Sequence, residues 1–291
     1  MSVKPDRLPG GLRFRGVSLL HPLDLVIGLL VMAFFLISAL LGGGDLLGSL
    51  QGGLLILVVM FVVGAAIEVI IEGLRDMRGL GTAVGFITNG PEALCLLVGL
   101  LGEDIIFAAS TPLGSNFLNP IMLLGAATAA GAVGVVFRHH RVYGPLTLGV
   151  SAALALVFFF LPESLYLPWV ITVAAVSGVL FFKRPEDPVA EEPGLKAIAR
   201  WHVIPAVLLL VVAGYWLDPV VSYTAEASRA PKGLIGFLVL AALTSWPEFR
   251  SSLSLLRRQR VTSAVLNITV SNLTNLWLAS LGVLVHLLLQ R

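Results

Sequence analysis

Two glutamate residues in otherwise apolar stretches are the first feature of this sequence that could do chemistry. Glu92 follows a proline in TNGPEAL, and Glu248 follows a proline in TSWPEFR. An ionised carboxylate inside a lipid bilayer is costly, so an intramembrane glutamate predicts a function. Two such carboxylates brought together would repel each other, and one or both would stay protonated unless a cation lay between them.

Hydroxyl and amide side chains recur at the same distances from the two glutamates. Ser115 comes 23 residues after Glu92, Ser271 comes 23 residues after Glu248, and an asparagine follows each serine by four residues. Their oxygens are hard ligands, which favours sodium, calcium or protons over soft transition metals. The candidate cation ligands from this pattern are Glu92, Glu248, Thr88, Ser115, Asn119, Thr244, Ser245, Ser271 and Asn275.

The composition identifies the class of protein. The chain of 291 residues is 57% hydrophobic and 12% charged, with a mean hydropathy of +0.95. A soluble domain of this length would need roughly 25% charged residues, so most of the surface must face lipid. No nucleophile–base constellation, cofactor loop or nucleic-acid motif is present, and the single cysteine excludes a disulfide framework. We therefore predict a membrane protein that is not an enzyme.

Apolar runs of about 20 residues, enough to cross a bilayer, divide the chain into nine predicted spans. The fourth run is too long for one straight helix, which predicts a kink or break near Pro112 or Pro120. The fold class is thus all-α and polytopic. The spans cover roughly 23–42, 53–74, 80–101, 105–136, 145–161, 166–182, 203–227, 233–256 and 262–289.

The predicted domain organisation follows from these runs. Residues 1–22 form a cytoplasmic N-terminal segment, 23–42 an additional transmembrane helix, and 53–182 the first half. Residues 183–202, rich in proline and in charges of both signs, form a cytoplasmic linker. Residues 203–291 form the second half.

The distribution of Lys and Arg predicts the orientation in the membrane. With the N-terminus in the cytoplasm, only Arg229, Lys232 and Arg291 lie outside, Arg250 lies within a span, and every other Lys and Arg is cytoplasmic. We therefore predict a multi-pass protein of the cell membrane whose C-terminus is outside. Arg250 lies about 200° around the helix from Glu248, so its side chain is predicted to point away from that carboxylate, toward the cytoplasmic interface.

The two halves contain an internal repeat, at about 80–136 and 233–289. Each copy has a Pro-Glu helix, a charged turn, and a helix with the serine and asparagine described above. The turns, at 102–104 and 257–260, lie on opposite sides of the membrane by the distribution of charge, so the copies are inverted. Inverted repeats whose polar, proline-interrupted helices meet near the midplane are typical of secondary transporters.

These motifs resemble the alpha-repeats of the calcium/cation antiporter superfamily, the sodium/calcium exchangers and their relatives. Those repeats carry a G-T-S-x-P-E helix followed by a G-N-x-x-G-S-N-x-x-N helix. The resemblance extends over about two thirds of this chain. The first copy keeps Thr88, Pro91, Glu92, Gly114, Ser115, Asn116 and Asn119, and the second keeps Thr244, Ser245, Pro247, Glu248, Asn267, Ser271, Asn272 and Asn275.

The resemblance implies a mechanism and further ligands. It implies a secondary active antiporter in which Glu92 and Glu248 alternately hold calcium or sodium, while the second and seventh spans act as gates. It also implies that the backbone carbonyl groups of Gly85 and Ala241 coordinate sodium. The small cations are then substrates, and no cofactor is expected.

Several features depart from the family's pattern. Asn89, kept among the candidate ligands, stands where the family has serine, Thr111 where it has asparagine, and Val270 where it has glycine. The sequence stops after the helix that bears Asn275, without the two closing helices of a ten-helix exchanger. Either a homodimer or the additional first helix could cover the flank that this leaves open.

Two other functions remain open. Protons could drive transport, because a site with two glutamates and two asparagines has fewer carboxylates than exchangers with an additional aspartate. Alternatively, the protein could belong to a different class, a membrane scaffold that retains a relic site and does not transport ions. Glu68 in the second span could line the ion pathway or pair with a cytoplasmic arginine, and we interpret Glu72 as such a pair.

Overall fold

The computed structural model describes residues 13–14, 17–18, 24–73, 89–138, 141–186, 200–257 and 259–290. A two-residue antiparallel pair, β1 (Arg13–Phe14) with β2 (Val17–Ser18), precedes the first helix. The other described elements are helical, and many of their large apolar side chains face outward. Leu41 is 85% exposed and Phe182 is 84% exposed, as lipid-facing side chains would be. The predicted all-α membrane fold is therefore confirmed.

The first half consists of seven described helices. The last of them follows a 3-10 turn at Glu163–Leu165. The helices are α1 (Asp24–Gly42), α2 (Leu46–Gly73), α3 (Gly90–Leu101), α4 (Ile105–Ala129), α5 (Val133–Arg138), α6 (Tyr143–Phe158) and α7 (Tyr166–Phe182).

The second half begins with a 3-10 turn, Arg200–His202. A π-helical stretch, Ile235–Leu240, joins its second and third helices. The helices are α8 (Val203–Ser228), α9 (Lys232–Leu234), α10 (Ala241–Thr244), α11 (Trp246–Arg257) and α12 (Val261–Leu289).

Five described helical stretches are long and apolar enough to cross a membrane, and α3 and α6 are shorter apolar helices. This identifies an integral membrane protein. The five stretches are Leu25–Gly42, Leu46–Ala66, Glu163–Phe182, Ile204–Ser228 and Val261–Leu289.

The long fourth span was predicted to break near Pro112 or Pro120, but its break lies elsewhere. Helix α4 continues through Pro112 and Pro120, as transmembrane helices can where neighbouring groups satisfy the freed carbonyls. The helix ends instead at Ala129, two residues before Gly131, whose φ is +64°. The N–H of Gly131 bonds to the carbonyl of Thr128 at 3.1 Å, and that of Ala132 to Ala127 at 2.8 Å. This is the Schellman arrangement, which ends helices at a left-handed glycine.

Helices α2 and α8 pack along each other as a pair, and α1 packs against both. Helix α2 starts at Leu46 rather than at the predicted residue 53, because its glycines are packing positions inside the helix. A Cβ atom at Gly52 would lie 2.4 Å from Thr224 Oγ1 of α8, and one at Gly48 would lie 3.1 Å from Ala227 Cβ.

The long helices of the two repeats, α4 and α12, run antiparallel. Ile105, at the start of α4, belongs to one apolar cluster with Val283, near the end of α12. Ala127, at the end of α4, belongs to another with Val265, near the start of α12. The helices therefore cross near their middles, where both carry Ser and Asn. This arrangement agrees with the predicted inversion of the repeats.

Helix α4 approaches the π-helical stretch of the second repeat unusually closely at Gly114. A Cβ atom there would lie 2.2 Å from the carbonyl oxygen of Phe237 and 2.8 Å from Ala241 Cβ. Only a residue without a side chain fits this contact. The contact places Ser115, the next residue of α4, beside the second repeat.

Gly114→Ala should therefore destabilise the protein by about 1–3 kcal/mol, the usual cost of overpacking. The measurement is the melting temperature in detergent. Gly149→Ala on α6 is the matched control, because nothing lies within 4 Å of a Cβ atom there. The control should melt at or slightly above the temperature of the unmodified protein. Equal melting temperatures for the two variants would contradict the close approach.

Candidate cation site

Each Pro-Glu motif places its glutamate in the first turn of a helix. Pro91 lies at the start of α3, where its missing N–H breaks no helical hydrogen bond. Glu92 follows and is fully buried. Glu248 lies in the first turn of α11 and is 1% exposed. A negative side chain is favoured at this end of a helix by the aligned peptide dipoles.

The carboxylate of Glu92 is linked to the second repeat by two hydroxyl groups. Ser115 Oγ of α4 donates to Glu92 Oε1 at 3.1 Å. Ser115 Oγ also lies 3.2 Å from Thr244 Oγ1, at the end of α10. All three side chains are buried. The 23-residue spacing seen in the sequence thus corresponds to a direct hydrogen bond, and Thr244 lies one helical turn before Glu248.

A second group of predicted residues meets around Ser271 of α12. Ser271 Oγ donates to Asn89 Oδ1 at 2.8 Å. Asn89 Nδ2 donates to the backbone carbonyl of Ser271 at 3.1 Å and also to Thr274 Oγ1. Asn119 Nδ2 lies 3.4 Å from Ser271 Oγ. The residue before α3 and the middle of α4 are thus joined to the second repeat.

An asparagine of the second motif extends this network to α6. Asn119 Nδ2 donates to Asn272 Oδ1 at 2.8 Å. Asn272 Nδ2 donates to Ser151 Oγ at 2.8 Å and to the carbonyl oxygen of Asn116 at 3.2 Å. Sequence reasoning missed Ser151, because it lies outside the repeats and no motif marks a single serine in an apolar helix. Asn272 was noted as a motif residue, but not as a structural centre.

Several buried polar atoms have no hydrogen-bond partner among the described residues. A buried polar atom without a partner costs about 1–3 kcal/mol, so such a group is notable where it clusters with others. Asn116 and Thr111, on α4, also contribute atoms of this kind. Among the predicted ligands the atoms are Glu92 Oε2, Asn119 Oδ1, Ser245 Oγ, and Oδ1 and Nδ2 of Asn275.

Within the described ranges, no three His, Cys, Asp or Glu side chains cluster in a way that could hold a metal ion.

Some predicted site residues lie outside the described residues. These are Gly85 and Thr88, and the same holds for the side chains of Glu68 and Glu72. Ala241 is described, and its carbonyl oxygen accepts from Thr244 Oγ1 at 3.1 Å and from the N–H of Ser245 at 2.9 Å. Sodium binding by this carbonyl stays a prediction.

Arg250 lies partly buried beside the site helices. It lines a cavity of about 430 Å³ between α1, α2 and α11. Apolar side chains such as Met32 and Phe61 form most of the wall, and Trp246 and Pro247 lie beside Arg250. The cavity thus borders α11, the helix whose first turn carries Glu248.

Comparison with protein families gives one match, which lies in the second half of the chain. Residues 199–288 match the family described as sodium/calcium exchanger protein. No curated protein and no solved structure matches the chain. The matched segment contains the whole second Pro-Glu motif with its serine and asparagine, and the family is one of transporters rather than enzymes. The match of residues 199–288 to this family confirms the resemblance seen in the sequence.

Proposed function

We propose that the protein is a secondary active antiporter that exchanges calcium for sodium at a site formed by Glu92 and Glu248. One observation carries the proposal: oxygens of both repeats meet in the middle of the bundle, several without partners among the described residues. Ser115 and Thr244 join the Glu92 carboxylate to the helical turn that precedes Glu248. The match of the second half to an exchanger family supports the same function.

The charges of the site suit calcium and sodium as competing substrates. Two carboxylates balance one calcium ion, which takes six to eight oxygen ligands. The amide oxygens of Asn119 and Asn275 and the hydroxyl of Ser245 can add neutral ligands. Because the neutral groups add no charge, sodium can replace calcium without leaving a large excess of negative charge in the bilayer.

Alternating access would arise by movement of the α2–α8 pair relative to the helices that carry the site. The two helices pack along each other, so they can move as one body. The site helices are cross-linked by hydrogen bonds between the repeats, such as Asn119 to Asn272 at 2.8 Å. In this mechanism the bound cation neutralises the carboxylates, and only the filled site lets the pair slide.

The test is calcium flux into proteoliposomes with one gradient imposed at a time. An outward sodium gradient should drive calcium uptake, and collapsing that gradient with a sodium ionophore should stop it. A pH gradient alone should not drive uptake. Uptake driven by the pH gradient would instead favour protons as the coupling ion, and no uptake under either gradient would favour the non-transporting scaffold.

A further inference from the structure

The two repeats differ at the position three residues before each glutamate. The first repeat has Asn89 there, and the second has Ser245. The other side chains proposed to bind the cation are the same in both copies: glutamate, serine and asparagine at matched spacing. An inverted repeat with identical residues would form two equivalent halves of a site. Position 89 is therefore where that equivalence is broken.

The carboxamide of Asn89 uses its hydrogen-bonding groups on the second repeat. Its Oδ1 accepts the only hydroxyl hydrogen of Ser271, at 2.8 Å. Its Nδ2 donates to the carbonyl oxygen of Ser271, at 3.1 Å, and to Thr274 Oγ1. An amide nitrogen offers two hydrogens, and both are used. Asn89 is 1% exposed and Ser271 is fully buried, so water does not compete for these bonds.

The equivalent place in the other half is different. Ser245 is fully buried, and its Oγ has no hydrogen-bond partner among the described residues. Ser115, the counterpart of Ser271, bonds to Glu92 and lies beside Thr244. This half presents hydroxyl and carboxylate oxygens to one another, and a cation can bridge such oxygens. In the half around Ser271, the amide hydrogens of Asn89 already bond to the oxygens of Ser271 and Thr274.

We infer that Asn89 is a specificity-determining residue whose amide group takes the place of one monovalent cation in the half of the site around Ser271. The partly positive N–H groups contact two oxygens that a sodium ion could otherwise coordinate. They are the hydroxyl of Thr274 and the carbonyl of Ser271, which also accepts from Thr274 Oγ1 at 2.9 Å. The protein then binds fewer sodium ions per calcium than two equivalent halves would allow. This inference rests on the proposed function, since it concerns the number of ions at the same site.

The test is the number of sodium ions bound per purified protein, measured by equilibrium dialysis with radioactive sodium. Asn89→Ser copies the residue of the second repeat and is too short to reach Thr274, so it should bind about one sodium ion more than the unmodified protein. Asn89→Asp keeps the shape of the side chain but replaces the amide hydrogens with a charged oxygen. It should also gain one ion, and it keeps the test valid if the serine variant does not fold.

Two further variants separate the proposed role from a general effect on packing. Adding Thr274→Ala to Asn89→Ser should return the ion count to its original value, because the released hydroxyl oxygen of Thr274 is lost. Asn267→Ser, the same substitution on α12 at a residue that bonds to Ser252 at 3.4 Å, should leave the count unchanged. A sodium count equal to that of the unmodified protein in folded Asn89→Ser and Asn89→Asp would overturn the inference alone. An unmodified protein that binds neither sodium nor calcium would overturn the proposed function as well.

Discussion

Replacing either Glu92 or Glu248 by glutamine should abolish calcium exchange. Each side chain is fully or almost fully buried, and the amide removes one of the two negative charges that would balance calcium. We expect calcium affinity to fall by at least roughly 100-fold, or about 2.8 kcal/mol. The protein should still fold, because an uncharged side chain is cheaper to bury than a carboxylate. The measurement is sodium-driven calcium uptake into proteoliposomes.

Glu163→Gln is the matched control for these variants. Glu163 lies in the exposed 3-10 turn before α7, so losing its charge should leave uptake at the unmodified rate. A single elution peak in size-exclusion chromatography shows that each variant is folded. Normal uptake by Glu92→Gln or Glu248→Gln would show that the two-glutamate site is not the transport site.

A disulfide between the α2–α8 pair and the site helices should stop exchange. The proposed mechanism needs this pair to slide past α3. A Cβ atom at Gly214 of α8 would lie 3.6 Å from Leu94 Cγ of α3, close to the geometry of a disulfide. In a background where Cys95, the only cysteine, is alanine, Leu94→Cys with Gly214→Cys should lose flux on oxidation. Reduction should restore the flux.

The control cross-links the two moving helices to each other. A Cβ atom at Gly48 of α2 would lie 3.1 Å from Ala227 Cβ of α8. Gly48→Cys with Ala227→Cys should therefore form a disulfide that leaves exchange active, because the pair moves as one body. Inhibition by this cross-link would contradict the movement of α2 and α8 together. Continued exchange with α8 cross-linked to α3 would contradict sliding.

The repeat spacing predicted the most local part of the site. Glu92 and Ser115 are on consecutive helices joined by a short turn, so their separation along the chain is nearly enough to bring them together. Their hydrogen bond at 3.1 Å agrees with the sequence pattern. The inversion of the repeats could also be read from charges, because Lys and Arg distribute unequally across a membrane.

The contacts of Asn89 could not be read in the same way. Its partners on α12 are 182 and 185 residues away in sequence, and only packing of α3 on α12 brings them together. The predicted helix bounds were wrong at residue types that occur both in turns and inside helices. The second span was predicted to begin at residue 53, yet Gly52 lies inside α2 against Thr224. Proline suggested a break in α4, but the left-handed Gly131 ends it.

Calcium binding to the purified protein tests the central claim most directly, namely that both glutamates hold one cation. Equilibrium dialysis with radioactive calcium is performed on the unmodified protein, Glu92→Gln and Glu248→Gln. We predict saturable calcium binding that sodium displaces in the unmodified protein, and loss of this binding in each variant. Unchanged, sodium-sensitive calcium binding in either folded variant would show that the ion lies elsewhere.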